Sequence, residues 1–520
     1  MMRSRWSRTF AAVAAVVAVT IAGGPGSAGT AEAVAAGGVR EAIPLVEAYL
    51  DGIRQEPGRL REFVSDLPKG ADIHAHLSGA VPTTSLLRSA ERDGLCVGTA
   101  SFTASAPPCQ TGQRPARDAI KDARFADDIV RAWSMQGFTP GGESGHDHFF
   151  AAFGKFGAAA SHKGELLAVF AAEAAAEHEF AMEVMLSRQS GAVQKLATKV
   201  GFDPDPARLR EKLLADGAMA EITSAAREDA DDDIAQMRAD LRCGRTGADA
   251  GCRLPLRFLL QVTRTAAPEI VFAQMVLGFE LAQADPRYVG VNLVAPEDDP
   301  VALRDYRLHM RMLGYLRGVY PKGHITLHAG ELAPGLAPAA DLRFHIREAV
   351  VTGHAERIGH GVDVIGEDDP NGLLAEMARR HVLVEIALTS NCQILRICGG
   401  AHPFKVYRET GVPVALVTDD AGIEHTDMTS EYVRAITDYG LRYAELKTLA
   451  RAGLDHSFLQ GRGLWRAYDD YTPAPECAGS PLGGTAPAPA CRALLKSSPK
   501  AKAEWRQEAA FTAFEDRYDG

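Results

Sequence analysis

Four short stretches hold side chains whose types and spacing suit metal-assisted chemistry. They are His74 and His76 in ADIHAHL, His328 and Glu331 in HAGE, His360 in RIGHG, and Asp419 and Asp420 in TDD. Imidazole nitrogens with a carboxylate hold Zn2+ well and leave a position open for water. Each stretch also has a bland reading. His146 and His148 form a second H-x-H pair in GHDHFF, read as loop histidines ahead of an aromatic helix. HAGE alone is a strand end with a capping Glu, and TDD alone is an acidic helix N-cap. Coincidence favours the chemical reading: all four motifs end separate strands on the same side, which unrelated causes rarely produce.

Those motifs need a framework that brings strand ends together. Eight β-rich runs alternate with helical patterns, at 71–77, 180–186, 254–262, 288–294, 324–330, 356–362, 382–388 and 412–420. Strand-then-helix order implies a parallel sheet with helical crossovers, and eight such units imply an α/β fold of the (β/α)8 TIM-barrel type. An open doubly wound sheet needs a Gly-rich phosphate turn, and no G-x-G-x-x-G or G-x-x-x-x-G-K-[ST] follows these runs. Residues two apart in a strand share a face, so His74 and His76 both point into the barrel. The C-terminal strand ends converge on one mouth, where the four motifs meet. Segment 95–160 reads as an insertion between the first and second strands that covers this mouth. Its Phe149, Phe150, Phe153 and Phe156 have helical spacing, which favours core packing over a ligand-stacking lid.

The chain has 520 residues, with 56 Lys plus Arg against 67 Asp plus Glu, for a net charge of −11. With 46% hydrophobic and 24% charged residues, this is soluble globular composition, and its mild acidity argues against nucleic-acid or anionic-membrane partners. Arg3, Arg5 and Arg8 precede the apolar run 10–22, with small residues at Ala31 and Ala33. This is the pattern of a secretory signal peptide cleaved near Ala33, giving a secreted chain, extracellular or periplasmic, with no membrane attachment after cleavage. Exported chains keep disulfides. The eight cysteines fall in neighbouring pairs, Cys96 with Cys109, Cys243 with Cys252, Cys392 with Cys398 and Cys477 with Cys491. Proximity makes them staples of local surface loops. The expected layout is a signal peptide at 1–33, an N-terminal helical segment at 34–69, the barrel at 70–465 and a C-terminal extension at 466–520.

Taken in order, PKGADIHAHLSGA, HAGE, RIGHG, TSN, HPF and TDD resemble the adenosine deaminase family of metal-dependent hydrolases. The resemblance spans residues 65–465. The signal peptide, the long insertion, YVGVNLVAPED and AGLDHSF are similar to the secreted, growth-factor-type members. The resemblance implies one Zn2+ per chain, held by His74, His76, His328 and Asp419. It also implies Glu331 as proton donor to the purine N1, His360 as the group orienting the attacking hydroxide, and Asp420 as partner of that hydroxide and of purine N7. Ser78 stands where the family often has a ribose-contacting Asp, and Ala295 where a Gly N–H meets purine N3, so both are candidate substrate contacts. Ala421 replaces the usual Pro after TDD.

The implied reaction is deamination of adenosine or a related 6-aminopurine nucleoside, a small-molecule partner, to the 6-oxo product and ammonia. The implied attack is by zinc-bound hydroxide on C6. Two alternatives stand beside it: a nucleoside-binding or signalling protein on the same barrel, and an amidohydrolase with another substrate. Oligomeric state, a dimer included, is left open.

Overall fold

The computed structural model describes residues 42–518; the expected signal peptide lies outside the described residues. All eight expected strands form. They are β1 (Gly70–His76), β2 (Glu179–Leu186), β3 (Leu256–Thr263), β4 (Tyr288–Val294), β5 (His324–Ala329), β6 (Arg357–His360), β7 (Leu383–Ile386) and β8 (Val414–Leu416). They lie side by side in that order, each parallel to its neighbour. A parallel bridge between Ala75 and Asp419 closes the barrel, with Asp419 N donating to His74 O (3.0 Å) and His76 N to Asp419 O (3.2 Å). Closure therefore falls on the residues singled out for chemistry.

Strands of a parallel barrel are covered on both faces and read as nearly continuous apolar runs. β8 is shorter than the 412–420 run because its ladder to β7 ends at Leu416; beyond it Asp419 bridges to β1 and the Thr418 side chain turns toward the same strand. Thr418 Oγ1 donates to Asp72 of β1 at 2.5 Å, and Asp419 adopts φ +62°. Proline in the first turn and an aspartate cap start two of the crossover helices. Asp299 accepts from Val301 N ahead of Pro300–Val319, and Asp369 from Gly372 N ahead of Pro370–Arg380. No helix among the described residues is long and apolar enough to cross a membrane.

Between β1 and β2 the insertion builds a three-stranded antiparallel sheet, Cys96–Gly98, Ala104–Ser105 and Gln113–Pro115, followed by helices Ala123–Trp133 and Gly145–Phe156. Strands of two or three residues carry no periodic signal, so the sequence pattern does not reveal this sheet. His146 and His148 are not loop histidines: they occupy the first turn of Gly145–Phe156, where Ser144 caps the helix by accepting from Asp147 N. Phe149 and Phe156 are buried in the core, while Phe150 and Phe153 are half-buried against it.

All four expected disulfides are present, Cys96–Cys109, Cys243–Cys252, Cys392–Cys398 and Cys477–Cys491. The last is more than a surface staple. Cys477 and Cys491 are both fully buried beside Trp465 and Trp505, forming a small core of the extension. The helix Pro499–Glu515 is tied to the barrel's last helix by Arg451 with Glu508 (2.6 Å) and Lys447 with Glu515 (2.6 Å).

Candidate active site

At the C-terminal mouth four ligand atoms converge. His74 Nε2 and His76 Nε2 lie 3.2 and 3.1 Å from His328 Nε2, and each lies 3.4 Å from Asp419 Oδ1. All four residues are buried. A tetrahedral centre with metal–nitrogen bonds of about 2.0–2.1 Å has edges of about 3.3–3.4 Å, close to these separations. Asp419 Oδ1 is buried without a hydrogen-bond donor, a state that calls for a cation. Despite burial, His74 and His76 hold the Asp419 carboxyl well below its usual range. The donor set fits a bound divalent metal.

Each histidine is aimed by a partner on another strand. Glu385 Oε2 in β7 sits 2.5 Å from His74 Nδ1, and Glu385 Oε1 accepts from Thr326 Oγ1 (2.8 Å) and Arg357 Nε (2.6 Å). Arg357 in turn donates to Glu183 Oε2 of β2 at 2.8 Å. Asn292 Oδ1 in β4 accepts both the backbone N–H and the Nδ1–H of His328, each at 2.9 Å. Because the backbone group can only donate, the amide orientation is fixed, and the His328 Nε2 lone pair is left facing His74 and His76. His76 Nδ1 meets the Gln261 amide of β3 at 2.7 Å. A Cβ on Gly359 would stand 2.6 Å from His74 Cε1, so the glycine of RIGHG makes room for the first histidine. The sequence reading gave Glu385, Gln261 and Asn292 no such role. Their signal was a polar residue inside an otherwise apolar strand, as in VLVEIAL.

A second set of groups faces the same space. His360 Nε2 lies 3.9 Å from Glu331 Oε2 and 3.9 Å from Asp419 Oδ2. Its tautomer follows from a chain anchored on the backbone. Phe404 N donates to His402 Nδ1 (3.1 Å), so His402 Nε2 carries its proton and donates to Asn391 Oδ1 (2.9 Å). Asn391 Nδ2 then donates to His360 Nδ1 (2.9 Å), leaving the His360 proton on Nε2, inside the site. Burial lowers the His360 pKa to about 3, so the ring is neutral. Burial first, and then Asp419, push the Glu331 carboxyl up to about 8. Its backbone is held by Glu297, which accepts from Glu331 N (2.9 Å), Gly330 N (3.1 Å) and His345 Nδ1 (2.6 Å). Asp420 is buried with Oδ1 unpartnered, and a Cβ on Gly79 would stand 1.5 Å from that oxygen. His360 and Asp419 both take positive φ, +68° and +62°, uncommon for such residues and typical of constrained functional sites.

The candidate substrate contacts follow the C-terminal ends of β1 and β4. Ser78 lines a cavity of about 200 Å3 with Gln261 and with Phe153 and Phe156 of the insertion. The aromatic helix thus supplies core packing and one wall of this cavity. Ala295 has φ +82°, a conformation that favours glycine, at the position where the resemblance puts one. From the insertion, His146 Nε2 reaches Asp298 Oδ1 at 3.0 Å. Although burial opposes it, Asp298 and Asp147 raise the His146 pKa to about 9, and Glu331 adds to the same shift. This histidine, read as a loop residue, therefore belongs to the rim of the site.

The molecule is thus a (β/α)8 barrel with a candidate His3Asp metal centre at its C-terminal mouth. Residues 220–465, just under half of the chain, match the family model described as adenosine deaminase. An Escherichia coli adenosine deaminase is 35% identical over 137 residues, covering 26% of this chain and 38% of that protein. The chain therefore aligns with well under half the length of the curated relatives it matches. Among solved structures, an Arabidopsis N6-mAMP deaminase superposes with a TM-score of 0.51 at 21% identity, covering 77% of this chain and 96% of that one. An Arabidopsis ADAL protein complexed with IMP gives 0.50 at 20% identity, covering 77% and 94%. At these identities the two structures speak to the fold alone.

Proposed function

We propose that the protein is a secreted zinc-dependent aminohydrolase that converts adenosine, or a related 6-aminopurine nucleoside, to the 6-oxo product and ammonia. The carrying observation is the convergence of His74, His76, His328 and Asp419 beside a buried Glu331 and a His360 whose proton is fixed toward them. A Zn2+ held by these four residues supplies a lowered pKa for bound water, from about 15.7 to about 7, and so a nucleophile at neutral pH.

The chain's own groups do the rest. His360 Nε2–H holds the incoming oxygen in line with purine C6. Attack there breaks ring aromaticity, and a proton delivered to N1 lets the ring take up the electron pair. Glu331, kept protonated by its dry surroundings, is the group to deliver it. Asp420 meets the incoming oxygen and purine N7. The proton on the C6 oxygen then passes to the exocyclic nitrogen, which leaves as ammonia, and the C6 oxygen becomes the 6-oxo group. Ser78 and Ala295 are assigned to the ribose and to purine N3. Four disulfides support an oxidising compartment, in keeping with the N-terminal signal pattern at 1–33.

The test is loss of the 6-aminopurine absorbance band across adenosine, 2′-deoxyadenosine, N6-methyladenosine, AMP and N6-methyl-AMP, using zinc-loaded protein. Turnover of a nucleoside supports the reading. Turnover confined to nucleotides would move the substrate class, and binding without any turnover would leave a nucleoside-binding protein.

A further inference from the structure

At the opposite, N-terminal end of the barrel lies a second cavity, of about 690 Å3, within the size range of small-molecule sites. Its walls are the starts of β4, β5 and β6 together with the extension, which contributes Tyr468 and Lys500. Both residues lie beyond position 465, where the family match ends. In a chain of net charge −11, four Lys or Arg side chains (Lys322, Arg357, Arg380 and Lys500) line this space against one carboxylate, Glu356.

Two of these charges are already answered. Arg357 is paired with Glu183 and Glu385, and Glu356 with His324 and Arg317. The others are not. Lys500 is 6% exposed, and its Nζ reaches a single acceptor, Ser457 O, at 3.2 Å. Its other neighbours are the Tyr468 ring, 5.2 Å away, and the carboxyls of Asp455 and Glu504, both beyond 4.0 Å and both pushed up by burial. An ammonium has three donors, and burying its charge without a partner is costly. Asp469 lies beside the wall but is taken by His381 Nδ1 (2.9 Å) and His456 Nε2 (3.1 Å). Arg380 gives one N–H to Val350 O (2.9 Å), and its paired carboxylate, Glu376 Oε1, is 3.9 Å off. Among the described residues no carboxylate pairs with Lys500 or Lys322 within 4.0 Å.

We propose that this cavity binds a small molecule carrying an oxyanion, a phosphate or carboxylate group, held by Lys500 with Arg380 and Lys322. The ligand completes the donor set of the buried ammonium and enters from solvent past the exposed Lys322. The site is separate from the deaminase centre and does not depend on the substrate assigned there.

The test is calorimetric titration of the zinc-loaded full chain with inorganic phosphate, ribose 5-phosphate and succinate, repeated with Lys500→Met and Lys322→Ala. Lys322 is exposed, so its variant keeps the experiment decisive if Lys500→Met fails to fold. Saturable binding of a phosphate or carboxylate probe is expected, weakened about tenfold or more by Lys500→Met and several-fold by Lys322→Ala. Purine turnover is expected to stay unchanged in both. Absence of saturable binding, or binding that both variants leave intact, would overturn the proposal. The first result makes the cavity a water-filled space, and the second places the anion elsewhere, including the metal centre.

Discussion

At the scale of single residues, the site is governed by where protons are held. Glu331 must carry one, so Glu331→Gln is expected to keep its zinc and lose about 10²–10⁴-fold in turnover, as measured by metal content and by purine absorbance. Asn391 acts only through His360. Asn391→Leu frees the ring to take the other tautomer, and an expected loss of about 10–100-fold in kcat with metal content unchanged checks the chain from Phe404 N to His360. A fall in bound zinc without a change in kcat at full loading would contradict it. Ala295 holds φ +82°, so Ala295→Gly is expected to raise unfolding free energy by roughly 0.5–1 kcal/mol in a denaturant titration. The residues proposed to do the chemistry stand out in the sequence because their types are rare and their motifs are local. Their partners were not. Glu385 and His402 are distant in sequence from His74 and His360, and only the closed barrel brings each pair together.

At the scale of elements, the strand ends carry the candidate site and the insertion lines the cavity that holds Ser78. Seven strands were legible to within three residues at either end, since a buried parallel strand writes itself as an apolar run. The eighth was overestimated, because beyond Leu416 the chain keeps only isolated backbone bonds, from Val417 N to Ile386 O and between Asp419 and β1, in place of a continuous ladder. The insertion's sheet left no pattern at all, its strands being two or three residues long. Its helix Gly145–Phe156 meets the helix Leu388–Leu395 at one glycine. A Cβ on Gly145 would stand 2.1 Å from Gln393 O. Gly145→Ala therefore pushes apart two elements beside the mouth. A destabilisation of about 1–3 kcal/mol, with a raised KM and unchanged zinc content, is the expected outcome in thermal unfolding and steady-state kinetics.

At the scale of the whole molecule, the barrel is stapled and extended at both ends. Neighbouring cysteine pairs announced the four bonds, but nothing in AGSPLGGTAPAPA announced that Cys477 and Cys491 would be core residues. The loop they close spans 14 residues, so replacing both by Ala is expected to cost about 3 kcal/mol on the loop-entropy model, read as a lowered denaturation midpoint. The barrel interior carries a buried line of charge, Glu183 to Arg357 to Glu385 to His74, that joins the wall of the N-terminal cavity to the candidate metal centre. The catalytic claim, however, stands on the mouth alone. Its most direct measurement is adenosine turnover followed as zinc is removed by a chelator and returned in known amounts. Conversion to inosine is expected to disappear on removal and to return in proportion to zinc, saturating at one ion per chain. Protein that binds one zinc per chain and deaminates no 6-aminopurine would contradict it.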